Sequence, residues 1–191
     1  NLHSAEKSFV RMAAETGSGR VIVSSDPEAV LAADRIVLPG VGAFADCRNG
    51  LMAVPGLFEA IRRRVIDEEA PFLGICVGSQ MMASVGTEDG ETPGFGWIPG
   101  KVVRIKPGSA GIKVPHMGWN ALELRATHPV LEGIEPGDHA YFVHSYHVVP
   151  EHEEHLLATV QHGGPVTAVI GRDNIVGTQF HPEKSQATGL R

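Results

Sequence analysis

Cysteine and positive charge are scarce in this 191-residue chain, and long apolar runs are missing. Two cysteines, Cys47 and Cys76, build no disulfide framework, which points to a reducing compartment. Lysine and arginine total 16 against 22 acidic residues, for a net charge of −6, and Arg62-Arg63-Arg64 is the only basic run. A nucleic-acid groove needs a basic footprint, so nucleic acid is excluded as a partner. No stretch approaches the ~20 apolar residues that cross a bilayer, and the opening Asn1-Leu2-His3-Ser4 shows no signal-peptide pattern. The 23 glycines and 13 prolines fall between periodic segments without a repeat, which excludes collagen-like and disordered chains. With 42% hydrophobic residues, the chain can fill one core. The expectation is a soluble, acidic, cytoplasmic protein whose residues 1–191 form one domain.

Helical and strand-like segments alternate through the first half. Ser4 to Thr16 reads as a helix with Ala5, Phe9, Met12 and Ala13 on one face and Gly17 ending it. The β-branched run Val21–Val23 suits a buried strand, and Asp26-Pro27-Glu28 suits a capped helix start. Ile36–Leu38 is the next strand, broken by Pro39-Gly40-Val41-Gly42. Leu57, Phe58, Ile61 and Val65 then share a helix face, with Arg62–Arg64 on its solvated side. Phe72–Ile75 is a strand that runs into Cys76, followed by a helix over Ser79–Ser84. This alternation predicts an α/β fold with an open, mostly parallel, doubly wound sheet. The second half carries shorter runs at Lys101–Ile105, Ala121–Leu124, Tyr141–Val149, Leu156–Val160, Val166–Gly171 and Ile175–Gln179, some of them antiparallel. Such a sheet usually opens on a strand and closes on a helix. The first strand and the last helix are therefore expected outside these 191 residues.

Gly74-Ile75-Cys76-Val77-Gly78 places a cysteine on a strand-to-helix turn with glycine two residues to either side. This is the nucleophile-elbow pattern, with cysteine where serine is common. Side chains at the flanking glycines would clash in so tight a turn. The turn exposes the sulfur at the carboxyl end of the sheet, and a helix N-terminus favours thiolate. A free cysteine is otherwise a small buried hydrophobe, which is the reading for Cys47.

Among ten histidines, His181 is the best base. In His181-Pro182-Glu183, Pro182 biases the residue before it towards extended backbone, so His181 and Glu183 point the same way. Glu183 can then fix the imidazole tautomer while the other ring nitrogen faces the sulfur. The pairs His144/His147 and His152/His155 lie three apart and match neither zinc-protease motif, so no metal site is expected.

With those residues in place, the sequence resembles the class I glutamine amidotransferases. More narrowly, it is similar to the glutaminase subunits of imidazole glycerol phosphate synthases. Four segments carry the match: Pro39–Phe44, Gly74–Gln80, Pro115–Asn120 and Phe180–Ser185. Pro-His-Met-Gly-Trp-Asn at Pro115–Asn120 is the most discriminating. Only Asn1 matches the end of the family's opening strand, and the elbow reads Cys-Val-Gly-Ser-Gln where Cys-Leu-Gly-Met-Gln is usual.

The resemblance implies a flavodoxin-like sheet and hydrolysis of L-glutamine to glutamate and ammonia through a Cys76-His181-Glu183 triad and a glutamyl thioester. It implies an oxyanion hole from the N–H of Val77 and from the Val41-Gly42 loop. Gly42, Gln80, Ser145 and Tyr146 would hold the glutamine, without metal or cofactor. It further implies a heterodimer with a (β/α)8-barrel cyclase that takes the ammonia to make imidazole glycerol phosphate and aminoimidazole carboxamide ribotide. Pro115, Met117, Trp119, Asn120, Tyr141 and Lys184 match positions near that interface. The alternatives are a glutaminase of another pathway, a non-catalytic binding module, and a cysteine protease or thiol esterase of similar fold.

Overall fold

The structure, a computed structural model, describes residues 2–108 and 111–190. Asn1 lies outside them. In chain order the first elements are helices α1 (Leu2–Thr16) and α2 (Pro27–Leu31), strand β1 (Ile36–Gly40), helices α3 (Phe44–Met52) and α4 (Leu57–Arg62), strand β2 (Phe72–Cys76) and helix α5 (Val77–Gln80). Strands β3 (Ala83–Gly86), β4 (Thr92–Pro93), β5 (Ile98–Arg104), β6 (His116–Ala121), β7 (Glu123–Leu124) and β8 (His139–His144) come next. They are followed by β9 (Tyr146–Pro150), β10 (Leu156–Gln161), β11 (Pro165–Arg172), β12 (Ile175–Thr178) and the short helix α6 (Gln186–Gly189).

The fold is α/β, built on an open six-stranded sheet of order β1-β2-β12-β11-β10-β7. β1, β2 and β12 run parallel, and β11, β10 and β7 extend the sheet antiparallel. The antiparallel character of the second half therefore enters the central sheet itself at β11. A four-stranded sheet, β4-β3-β5-β9, and a β6-β8 ribbon stand beside it. Side chains alternate across the sheet: Ile170 and Ile175 join a core with Phe44, Ile61, Phe72 and Met82. Val169 and Val176 join a second core with Phe142, Val160 and Phe180 on the other face.

Local sequence explains the helix ends. Gly17, at φ +66, closes α1, and Ser18 N–H reaches back to Ala13 O at 3.1 Å. The Asp26 carboxylate caps α2 by accepting from Glu28 N–H at 3.0 Å, with Pro27 at the first helical position.

Four expectations need correction. Val21–Val23 is not a strand: no neighbour among the described residues offers it a hydrogen-bond ladder, and Ile22 and Val23 are 57% and 45% exposed. The helix after Cys76 stops at Gln80 instead of spanning Ser79–Ser84. The carbonyls of Met81, Met82 and Ala83 accept from Phe95, Ile98 and Gly96, which draws the chain out of the helix and into β3. The run Tyr141–Val149 bends at Ser145, so β8 joins the ribbon and β9 joins β5. Between Gly42 and Leu57 the chain also forms α3, which buries Phe44 and which the periodicity did not reveal. No helix among the described residues is long and apolar enough to cross a membrane.

Candidate active site

Three neighbouring parallel strands deliver the candidate site. β1 ends at Gly40, opposite Cys76 at the end of β2, and Thr178 of β12 pairs with Ile75. The Val41-Gly42 loop, Cys76 and the Gln179–His181 segment therefore emerge side by side at the carboxyl edge, where open α/β sheets place ligands.

Cys76 sits at φ 55, ψ −111, a conformation that carries strain of about 1–3 kcal/mol in a non-glycine residue. The glycines two residues away make this turn sterically possible. A Cβ on Gly74 would lie 2.7 Å from Gly78 O, and one on Gly78 would lie 1.8 Å from Leu38 O. Burial pushes the Cys76 thiol up to about 11, although the Val77 N–H bonded to the sulfur favours the charged form. The expected helix-favoured thiolate is thus corrected: α5 is one turn long, and desolvation outweighs it. At neutral pH the sulfur is a protonated thiol.

His181 is 3% exposed, and its Nδ1 lies 2.9 Å from Glu183 Oε1. Burial pushes the Glu183 carboxyl up, but the hydrogen bond from His181, its own backbone N–H and the Lys184 charge outweigh this and hold it below the usual range. A carboxylate accepts only, so Nδ1 carries the proton and Nε2 is the lone pair available as a base.

Cys76, Val77 and His181 line a cavity of about 340 Å³ together with Val41, Gly42 and Gln80. Ser145 and Tyr146 also border it. That volume falls in the usual range for small-molecule sites, roughly 300–1,000 Å³. Gly42 has φ +98, and Val41 O accepts from the Cys47 thiol at 3.1 Å, which turns that carbonyl towards α3. Gln80 Nε2 donates to Tyr146 O at 3.0 Å and to Gln179 Oε1 at 3.1 Å.

The class I glutamine amidotransferase family model matches residues 1–189. This chain belongs to the class I glutamine amidotransferase family. It is 62% identical to the imidazole glycerol phosphate synthase subunit HisH of Cereibacter sphaeroides, covering 100% of this chain and 90% of that protein. The corresponding subunit of Ruegeria pomeroyi is 59% identical over the same shares. Among solved structures, a glutamine amidotransferase superposes with TM-score 0.70 at 18% identity, covering 96% of this chain and 88% of that one. The glutaminase domain of Trypanosoma brucei CTPS with bound acivicin gives TM-score 0.65 at 14% identity, covering 98% and 84%. These two share the fold.

In this amidotransferase, Trp119 and Met117 lie on the outer face of the β6-β8 ribbon, 48% and 63% exposed. Pro115 is also exposed, and Asn120 is half-buried. Trp119 meets the Tyr141 ring edge-on at 5.8 Å, and Lys184 Nζ stands 5.9 Å from the centre of that ring. The ribbon is tied to the His181 segment, because His181 N–H donates to Tyr141 O and Tyr141 N–H to Ser185 Oγ. Lys184 borders the cavity as well, so one residue touches both the cavity and the Tyr141 ring.

Glu88 and Gln179 were not singled out in the sequence. Glu88 borders the cavity and accepts from Phe44 N–H at 2.9 Å. Gln179 Nε2 donates to Cys76 Sγ at 3.7 Å. Both contacts join residues far apart in the chain, and neither residue sits in a pattern that marks it.

Proposed function

We propose that this chain is the glutaminase subunit of an imidazole glycerol phosphate synthase, hydrolysing L-glutamine to glutamate and ammonia. Residues 1–191 act as one amidotransferase domain in the cytoplasm. The ammonia passes to a (β/α)8-barrel cyclase partner, which uses it in histidine biosynthesis. The observation that carries this reading is a cysteine on a strained elbow sharing one cavity with an oriented His-Glu pair. The chain that holds it is 62% identical along its full length to a subunit of that synthase.

Because Cys76 rests as a thiol, its sulfur gains charge as His181 Nε2 removes the proton and the side-chain amide carbonyl of glutamine is attacked. The N–H of Val77 and an N–H of the Val41-Gly42 loop stabilise the oxyanion, each worth ~3–4 kcal/mol when aligned. His181 then protonates the departing nitrogen, leaving a glutamyl thioester and ammonia. Water, deprotonated by the same imidazole, opens the thioester to glutamate and restores the thiol. Gly42, Gln80, Ser145 and Tyr146 hold the substrate, and the Glu88 carboxylate suits its α-ammonium group. The Trp119-Tyr141-Lys184 surface, with Met117, Pro115 and Asn120, receives the cyclase; exposed Trp and Met suit an interface core.

A glutamine-shaped electrophile tests the pocket. It should label Cys76, and free L-glutamine should protect it. Labelling of Cys76 by peptide or ester reagents, without protection by glutamine, would indicate a protease or esterase instead.

A further inference from the structure

The triad leaves one buried neighbour of the sulfur without a role. Gln179 is 3% exposed, and its Nε2 donates to Cys76 Sγ, itself 6% exposed. The direction of that bond follows from a chain of contacts anchored on backbone. Tyr146 O can only accept, so the end of the Gln80 amide that faces it is the nitrogen. The same nitrogen faces Gln179, which must therefore present its carbonyl oxygen, and this turns the Gln179 nitrogen to the sulfur. Tyr146 O is itself held by His144 Nδ1 at 2.8 Å, and His144 Nε2 lies 3.0 Å from His116 Nδ1. His116 Nε2 in turn lies 3.1 Å from Asn120 Nδ2, which donates to Gln161 O at 2.9 Å. With a backbone carbonyl at either end, the donors and acceptors along the row have one consistent assignment.

We infer that Gln179 is a further catalytic residue: its amide N–H stabilises the charge that develops on Cys76 Sγ, and Gln80 holds it in that orientation. The inference rests on Cys76 being the nucleophile. A donor matters more to sulfur as thiolate than as thiol, because hydrogen bonds to charged groups are the stronger ones. It counters the desolvation that raises the thiol. The titratable and charged groups around the sulfur are Cys47 from α3, Glu88 from the loop after β3, His144 from β8, and His181, Glu183 and Lys184 from the segment after β12. Gln179 is uncharged at every working pH, so it supplies its effect without titrating.

The test is the pH dependence of Cys76 alkylation by iodoacetamide in the full chain, read on the Cys76 peptide by mass spectrometry so that Cys47 does not contribute. Gln179→Met keeps the volume and removes the donor. Its alkylation rate near neutrality should be about tenfold lower, the rising limb of the rate–pH profile moving by about one unit towards alkali. Gln179→Glu, which sets a carboxylate beside the sulfur, should move that limb further in the same direction. If Gln179→Met melts early, Gln80→Met replaces it; freeing the Gln179 amide to turn should move the limb by a smaller step. Superimposed rate–pH profiles for the wild type and these variants would overturn the inference. No glutamine enters the assay, so its failure is distinct from a failure of the glutaminase reading.

Discussion

Gly78 and the carbonyl of Leu38 are in such close approach that a Cβ at position 78 would stand 1.8 Å from the Leu38 oxygen. The elbow that lifts Cys76 is therefore braced against β1. Gly78→Ala must push β1 and β2 apart or undo the turn, and it should lower stability by several kcal/mol, beyond the usual ~0.5–3 kcal/mol of a point substitution. Gly42→Ala gives the contrast: nothing lies within 4 Å of its Cβ, so only the φ of +98 opposes it, at about 1–3 kcal/mol. Denaturant unfolding of the two variants side by side checks this order.

The Glu183 carboxylate determines which nitrogen of His181 carries the proton. Glu183→Gln can meet Nδ1 with an amide N–H and so stabilise the wrong tautomer. The turnover number should fall by roughly 10²- to 10⁴-fold, with KM for glutamine little changed. Steady-state kinetics on a variant with an unaltered melting curve would show it. A turnover within a factor of a few of wild type would remove Glu183 from the mechanism.

Stability should fall in mild acid. Burial pushes His144 down to about 3 and His116 down to about 4, so both are neutral in the fold, against an ordinary value of 6.5. Below that value the unfolded chain binds more protons than the native one. Stability is therefore complete above about pH 6.5 and declines as the pH falls towards the folded values, by a few kcal/mol in all. Unfolding free energies measured down this range should slope for the wild type and less steeply for His144→Asn, where the His116 contribution remains.

Trp119 is half exposed, so Trp119→Ala should change the stability of the isolated chain by less than ~1 kcal/mol. As an aromatic anchor of the docking surface, its loss should weaken binding to the barrel cyclase by about 30-fold or more. Calorimetric titration of the cyclase into each protein measures this.

The features legible in the sequence were those with a local cause. The glycines at 74 and 78 mark the elbow because the turn excludes side chains at those positions, and Asp26-Pro27 marks a helix start because cap and proline act within one turn. Val21–Val23 misled because strand identity needs a neighbour, which β-branched composition cannot report. The bend at Ser145 lies inside a run that reads as one strand from Tyr141 to Val149, and it separates β8 from β9 because two different sheets claim the two halves. Gln179 meets the sulfur and Glu88 is held at the cavity through contacts that span 103 and 44 residues, with no periodicity or motif to announce them.

The central claim is tested most directly by glutamate release from L-glutamine. The chain is assayed alone, with the barrel cyclase, and with the cyclase carrying its nucleotide ligand, with Cys76→Ala as the control. The account predicts glutamate release that rises in the ligand-loaded complex and disappears in Cys76→Ala. Release that persists in Cys76→Ala, or none in any combination, would contradict it.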